Sequence, residues 1–241
     1  ADAGKRPPLW SRGLGDVYKR QGLMHRFPQF YTLLALLCLA LGQARAVTLK
    51  EARQLYATGE YAKAVKASEG AIATNEYDSG WRLLLLRAWL TTGEYHEAKR
   101  FATQLLEDYR YRYNAEALWL FHLAYEATGD TQQSGKMLKI IIEFLNGQRA
   151  ISDENTLVFI GRALLKAAVS DPKQVKENLF DRVLQSDPEN REAVLATGEL
   201  ALAKRDFKLA GSTFTRAIGH YPEDADLLYG CLLYTSDAAD E

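Results

Sequence analysis

The chain has 241 residues, 47% of them hydrophobic, and a formal net charge of −1 at pH 7. That length and apolar share allow a core of domain size, and the near-neutral charge excludes the basic footprint that nucleic acid or anionic membrane would call for. Its two cysteines, Cys38 and Cys231, build no disulfide framework.

The first segment in chain order carries Asp16-Val17-Tyr18-Lys19-Arg20-Gln21. One codon choice for it, GATGTGTATAAGAGACAG, has the reverse complement CTGTCTCTTATACACATC. Read from its second base, that strand encodes Cys-Leu-Leu-Tyr-Thr-Ser, the peptide found at 231–236. No structural constraint relates two peptides by reverse complementation, whereas an inverted DNA repeat flanking the insert does. The DNA looks like the transposon-end oligonucleotide of sequencing libraries. Residues 1–23 and 231–241 are therefore expected to be adapter-derived and are set aside from fold reasoning. The coding sequence proper is then expected to begin near Met24 and to be interrupted near Gly230.

Met24 opens a short segment with Arg26, followed by an apolar run at 30–41 and by Gly42-Gln43-Ala44-Arg45-Ala46. A positive start, an apolar core and an Ala-x-Ala end are the three parts of a secretory signal peptide. The core is shorter than the ~20 apolar residues of a comfortable membrane span. Residues 24–46 are expected to be a signal peptide cut after Ala46, with an uncleaved anchor as the alternative and as the only membrane contact. The expected location is exported, periplasmic or extracellular. The remainder, 47–230, carries 23 Lys and Arg against 26 Asp and Glu and has no cysteine. It offers neither a thiol nucleophile nor a cysteine metal site.

Within this remainder, Gly59-Glu60-Tyr61-Ala62-Lys63-Ala64 recurs 34 residues on as Gly93-Glu94-Tyr95-His96-Glu97-Ala98. A weaker copy is Gly129-Asp130-Thr131-Gln132-Gln133-Ser134. Phe180 and Pro188 recur as Phe214 and Pro222, again 34 apart. Such a period marks stacked helix–turn–helix units. Gly59 and Gly93 suit the left-handed residue that ends a first helix. Ala64 and Ala98 let paired helices cross closely, and Tyr61, Tyr95 and Phe207 are expected to fill the gap beside that crossing. Pro188 and Pro222 stop one hairpin before the next begins.

Hairpins are expected at 47–78, 79–114, 115–150, 153–188 and 191–222, with the first helix of a sixth from Asp224. In the fourth, Ser170-Asp171-Pro172 replaces the glycine turn, with Ser or Asp as cap and Pro at the first helical position. In the fifth, Lys204-Arg205-Asp206 stands there. The run 138–145 is rich in β-branched residues, yet its length suits a second helix and it is expected to be helical.

In its Gly-x-Tyr-x-x-Ala turns and closing prolines the chain resembles the tetratricopeptide-repeat (TPR) family over nearly all of 47–230. The resemblance implies an all-α fold, a right-handed superhelical solenoid of antiparallel helix pairs that needs a polar capping repeat. It also implies a concave face, lined by first helices, that takes a protein or peptide ligand. Carrying the family's groove positions onto this chain gives Arg53, Tyr56, Arg87, Leu90, Trp119, Leu123 and Glu126 as partner-binding residues. Arg53 and Arg87, on equivalent turns, either grip an acidic side chain or pair with local carboxylates. The fuller Lys/Asn/Arg pattern of carboxylate-clamp members is absent. Trp119 either anchors a partner or packs between hairpins, while Trp81 and Trp89 read as core.

No catalytic, cofactor-binding or metal-binding residue is expected. His96, His122 and His220 form no His-Glu-x-x-His pattern; His96 reads as an exposed second-helix residue, the others as surface or partly buried. No phosphate loop or nucleophile elbow is present. The pairs Glu107/Asp108 and Asp153/Glu154 read as caps or solvated charges. Residues 108–114 alternate aromatic and Arg side chains. They form either a lengthened joint between hairpins or a ligand-facing edge on which Tyr109, Tyr111 and Tyr113 stack against a sugar or base. The expected function is an exported scaffold for protein–protein interaction or assembly in a bacterial envelope, not an enzyme. The alternative is the N-terminal repeat region of a longer exported enzyme, such as a peptidase, whose catalytic domain lies past the break.

Overall fold

In a computed structural model of the chain, the residues described are 47–74, 78–147 and 153–239; the signal-like segment 24–46 and the first adapter-like segment lie outside them. Thr48 starts the fold. Its hydroxyl accepts the Glu51 N–H, and Glu51 Oε2 accepts the Thr48 N–H at 2.7 Å. This reciprocal box closes the first turn of α1 (Leu49–Ala57).

The chain then alternates first and second helices. α2 (Tyr61–Ala73) is followed by α3 (Ser79–Thr92) and α4 (Tyr95–Leu105), and by a single turn, α5 (Tyr109–Arg112). Next come α6 (Ala115–Ala127) and α7 (Thr131–Glu143), then α8 (Glu154–Lys166). The partner of α8 runs from α9 (Pro172–Val175) through a π segment, Lys176–Phe180, into α10 (Asp181–Ser186). α11 (Arg191–Ala203), α12 (Phe207–His220) and α13 (Ala225–Ala239) complete the described residues. Asp78, Asn114, Asp130, Asp153, Asp171, Asn190 and Asp206 each accept a backbone N–H at a helix start. Each such cap contributes about 1 kcal/mol. The run 138–145 is helical as expected, α7 tightening to a 3-10 turn at Phe144–Asn146.

First helices pack side by side in the order α1, α3, α6, α8, α11, α13, and each second helix wedges between its own first helix and the next. The result is an all-α repeat solenoid with a continuous inner layer. Its core runs through all hairpins, from Ala52, Tyr56 and Trp81 at one end to Phe214 and Leu227 at the other. Small residues permit the close approach. Ala64 and Ala98 are fully buried at their crossings, and Ser134 takes that place in the third pair. In the later pairs a phenylalanine of the second helix sits directly on a glycine of the first: Phe180 on Gly161, and Phe214 on Gly198. A Cβ at either glycine would overlap the ring. Trp81 is buried, and Trp89 packs edge-on against Phe101 at 5.6 Å. Tyr95 departs from expectation. It is 43% exposed and fills no gap, because the crossing is already closed around Ala98.

The hairpin turns share one backbone requirement. Gly59, Gly93 and Gly129 are left-handed, with φ of 81°, 87° and 76°. The fourth and fifth turns need the same geometry without a glycine, and Ala168 (φ 53°) and Arg205 (φ 57°) adopt it. Asp171 is the cap and Pro172 the first helical residue of α9. α13 continues past Gly230 through the second adapter-like segment, whose Leu and Ala residues are good helix formers whatever their origin.

A left-handed L-residue costs roughly 1–2 kcal/mol and glycine avoids that cost. Ala168→Gly and Arg205→Gly are each expected to stabilise the chain by about 0.5–1 kcal/mol. The check is a urea titration, with a higher midpoint at unchanged slope; a lower midpoint for both would refute strain at these turns.

Candidate functional site

The inner layer exposes one stripe per first helix, because residues three and four apart share a helix face. α3 presents Arg87 and Leu90, α6 presents Glu116, Trp119 and Leu123, and α8 presents Asn155, Phe159 and Arg162. α11 adds Glu192, Leu195, Glu199 and Leu202, and α13 adds Asp226, Tyr229 and Leu233. These stripes enclose two chambers of about 380 Å³ each. One, the more apolar by side-chain type, is walled by Leu90, Trp119, Leu123, Leu195 and Leu202. The other, the more polar by side-chain type, has Lys50, Arg53, Gln54 and Asn155 at its wall. Tyr56, Arg87 and Glu192 line both.

An ion-pair network runs along this face. Arg87 Nη1 donates to Glu192 Oε1 at 2.7 Å, and Nη2 to Glu116 Oε1 at 2.8 Å. Arg191 reaches Glu192 at 3.4 Å and binds Asp224 and Asp226 of the α13 start at 2.6 Å each. Asp224 also caps α13, accepting the N–H groups of Asp226 and Leu227. Burial pushes the Glu192 carboxyl up, but Arg87, Arg162 and Arg191 outweigh it and hold the group at about 2. Burial alone would weaken the Arg87 and Arg191 cations, and their carboxylate partners reverse this. Burial, with Asp226 nearby, raises the Tyr56 phenol, whose oxygen lies 2.9 Å from Thr91 Oγ1.

Six of the seven sequence-chosen residues meet in these chambers. Tyr56, Arg87, Leu90, Trp119 and Leu123 line the apolar one, and Arg53 lines the polar one with Tyr56 and Arg87. Glu126 lines neither; it binds Lys166 at 2.9 Å instead. Arg87 is engaged by internal carboxylates, whereas Arg53 is exposed. Trp119 is only partly buried, its ring tilted by 39° against that of His122 with centroids 5.1 Å apart. Arg162 stands 6.0 Å over its ring, bonded to Glu199 at 2.6 Å. The Arg162 Nε is buried with no hydrogen-bond partner among the described residues.

The partners of Arg87, namely Glu116 and Glu192, and the Arg162–Glu199 pair were not singled out in the sequence. Nothing local marks them, since Arg87 and Glu192 are 105 residues apart.

Elsewhere the structure narrows the chemistry. Tyr111 is fully buried while Tyr109 and Tyr113 are 75% and 65% exposed, so the three rings form no common stacking edge. Arg110 folds back on Asp108, and Arg112 donates to the Leu106 and Glu107 carbonyls. Residues 108–114 are a joint. His96 is exposed as expected, but His122, expected at the surface or partly buried, is buried at 1% exposure. Its Nδ1 lies 2.8 Å from Ser134 Oγ, and burial lowers its basicity. Ser134 is itself buried and opens into neither chamber, so this Ser–His contact is core hydrogen bonding. Among the described residues no cluster of three or more His, Cys, Asp or Glu could hold a metal, and no helix is long and apolar enough to cross a membrane.

Neither protein-family models nor curated proteins match the chain. Among solved structures, a thermophilic TPR protein of Thermus thermophilus superposes over 78% of this chain and 95% of its own, at 22% identity and a TM-score of 0.52. A tetratricopeptide repeat protein of Parabacteroides merdae covers 78% of this chain and 71% of its own, at 16% identity and a TM-score of 0.39. The first likeness shows the fold, a TPR-type helical repeat.

Because the folded Glu192 carboxyl is depressed to about 2, its stabilising effect is complete above the unfolded value near 4.3 and is lost as pH falls through about 2. Glu192→Gln is expected to be less stable than wild type at neutral pH by on the order of 3 kcal/mol. That gap should close as pH falls toward 2, as read by denaturant titrations at stepped pH. A gap independent of pH would show that the carboxylate charge is not what stabilises the site.

Proposed function

We propose that this chain is a non-catalytic, exported scaffold that binds a protein or peptide along its inner face. The observation that carries the reading is the apolar chamber. Leu90, Trp119 and Leu123 are only partly buried and line an open groove of about 380 Å³, although Leu90 and Trp119 also pack against the core. Large apolar side chains grouped in a cleft with a charged rim are what a partner's anchor residues require. Here Arg162, Glu199 and Asp226 supply that rim. The TPR-type fold supports the reading by analogy, which is a weaker warrant than the site itself.

Export rests on the sequence of 24–46 alone. Cleavage after Ala46 would place Val47 at the new N-terminus, immediately before the Thr48 cap of α1. The adapter origin of 1–23 and 231–241 is likewise a proposal, and it makes Leu233 a stand-in for whatever residue follows Gly230 in the gene. Re-reading the source DNA through the junctions at Gln21 and Gly230 is expected to recover the inverted oligonucleotide; continuous native coding sequence there would end the idea.

For binding, a photo-crosslinking amino acid placed at Leu123 is expected to capture a discrete envelope partner in source cells, and the same group at exposed His96 is not. Trp119→Ala should reduce the Leu123 product by roughly tenfold, the effect of losing ~1.4 kcal/mol or more at an anchor, with helicity by circular dichroism unchanged. Equal capture from both positions, or capture indifferent to Trp119, would refute inner-face binding.

A further inference from the structure

In a solenoid each repeat ordinarily touches only its neighbours. Here α6 and α8 lie between α3 and α11 in the row of packed first helices, yet the side chains of Arg87 and Glu192 meet across the groove at 2.7 Å. The pair stands where the two chambers adjoin, since Tyr56, Arg87 and Glu192 are the residues common to both linings. A strut at that place divides a groove that would otherwise be continuous.

The strut is built so that it can open. Arg87 keeps Glu116 at 2.8 Å if Glu192 leaves, and Glu192 keeps Arg191 at 3.4 Å if Arg87 leaves. Separating a buried ion pair is costly mainly because it strands an uncompensated charge, and here each charge keeps one partner, Arg191 being shared with Asp224 and Asp226. Ion pairs of this kind also add little net stability compared with apolar packing. An incoming carboxylate could take the place of Glu192 on Arg87 Nη1 in a like-for-like exchange.

We infer that the Arg87–Glu192 pair is a latch the chain fastens across its own groove, with Glu192 standing where a ligand carboxylate would bind. That a ligand opens it rests on the inner-face binding proposed above; the latch itself does not. The matching ligand is an acidic segment, its carboxylate replacing Glu192 and an adjacent apolar side chain entering the chamber beside Trp119. Opening joins the two chambers, and the ligand keeps them joined.

The test uses the full chain without ligand. Glu192→Gln and Arg87→Gln are expected to increase the radius of gyration by small-angle scattering. They should also speed amide exchange in α3 and α11 by at least about tenfold, with wild-type helicity. Glu192→Asp keeps the charge but shortens the arm by one methylene, so it should open the groove in the same direction even if the neutral variants fold poorly. Wild-type scattering and exchange in folded Glu192→Gln and Glu192→Asp would overturn the latch and leave a local stabilising pair. The crosslinker at Leu123 separates the two ideas. Opening without capture in any variant sinks inner-face binding and keeps the latch. Capture by the wild type that neither rises nor changes in Glu192→Gln, with no opening, does the reverse.

Discussion

How closely a second helix can approach its first is the constraint from which the rest of this structure follows. At Ala64 and Ala98 a methyl group sets the separation, and at Gly161 and Gly198 a phenylalanine ring rests on bare backbone. Interiors pack at near-crystalline density, so the volume at these contacts determines how adjacent hairpins are inclined. Phe214 extends the rule beyond its own pair, because its ring also lies against Gly230 of α13. The inclination accumulates over the four pairs from the second hairpin to the fifth until side chains of α3 and α11 come within hydrogen-bond distance.

Once the inner faces converge, their polar residues have to be paired. Arg87, Glu116, Glu192, Arg191, Asp224 and Asp226 form a connected chain of charges from α3 to the start of α13. A partly buried charge is tolerated when opposite charges and hydrogen bonds surround it, and the depressed Glu192 carboxyl is the measure of how thoroughly that is done. The same convergence leaves Leu90, Trp119, Leu123 and Leu195 facing a space that no segment among the described residues fills. The Ser134–His122 contact, which has the atoms of a catalytic pair, is shut inside the core.

Local rules were readable wherever a residue acts through its own backbone or an adjacent turn. Gly59 and Gly93 announced left-handed turns, and Asp171-Pro172 announced a capped helix start. Arg205 stands in the turn expected of the fifth hairpin, but the left-handed Ala168 was not announced, because a left-handed conformation is one that alanine itself disfavours. Residues 108–114 mislead for a related reason. Their alternation looks like a uniform stacking strip, but a helical turn sends Tyr111 into the core and leaves its neighbours outside.

The 34-residue period by itself determined the all-α hairpin architecture, and the TPR resemblance it carries pointed to residues of the inner face. Those properties depend on separations of a few residues along one helix, which the order of amino acids encodes directly. Only the tertiary structure decided that Arg87 meets Glu192 across the groove, that Glu126 turns away to Lys166, and that His122 is sealed against Ser134. The physical reason is that these contacts depend on the summed tilt of several hairpins. A contact between residues 105 apart is set by every close approach between them, and no motif at either end records it.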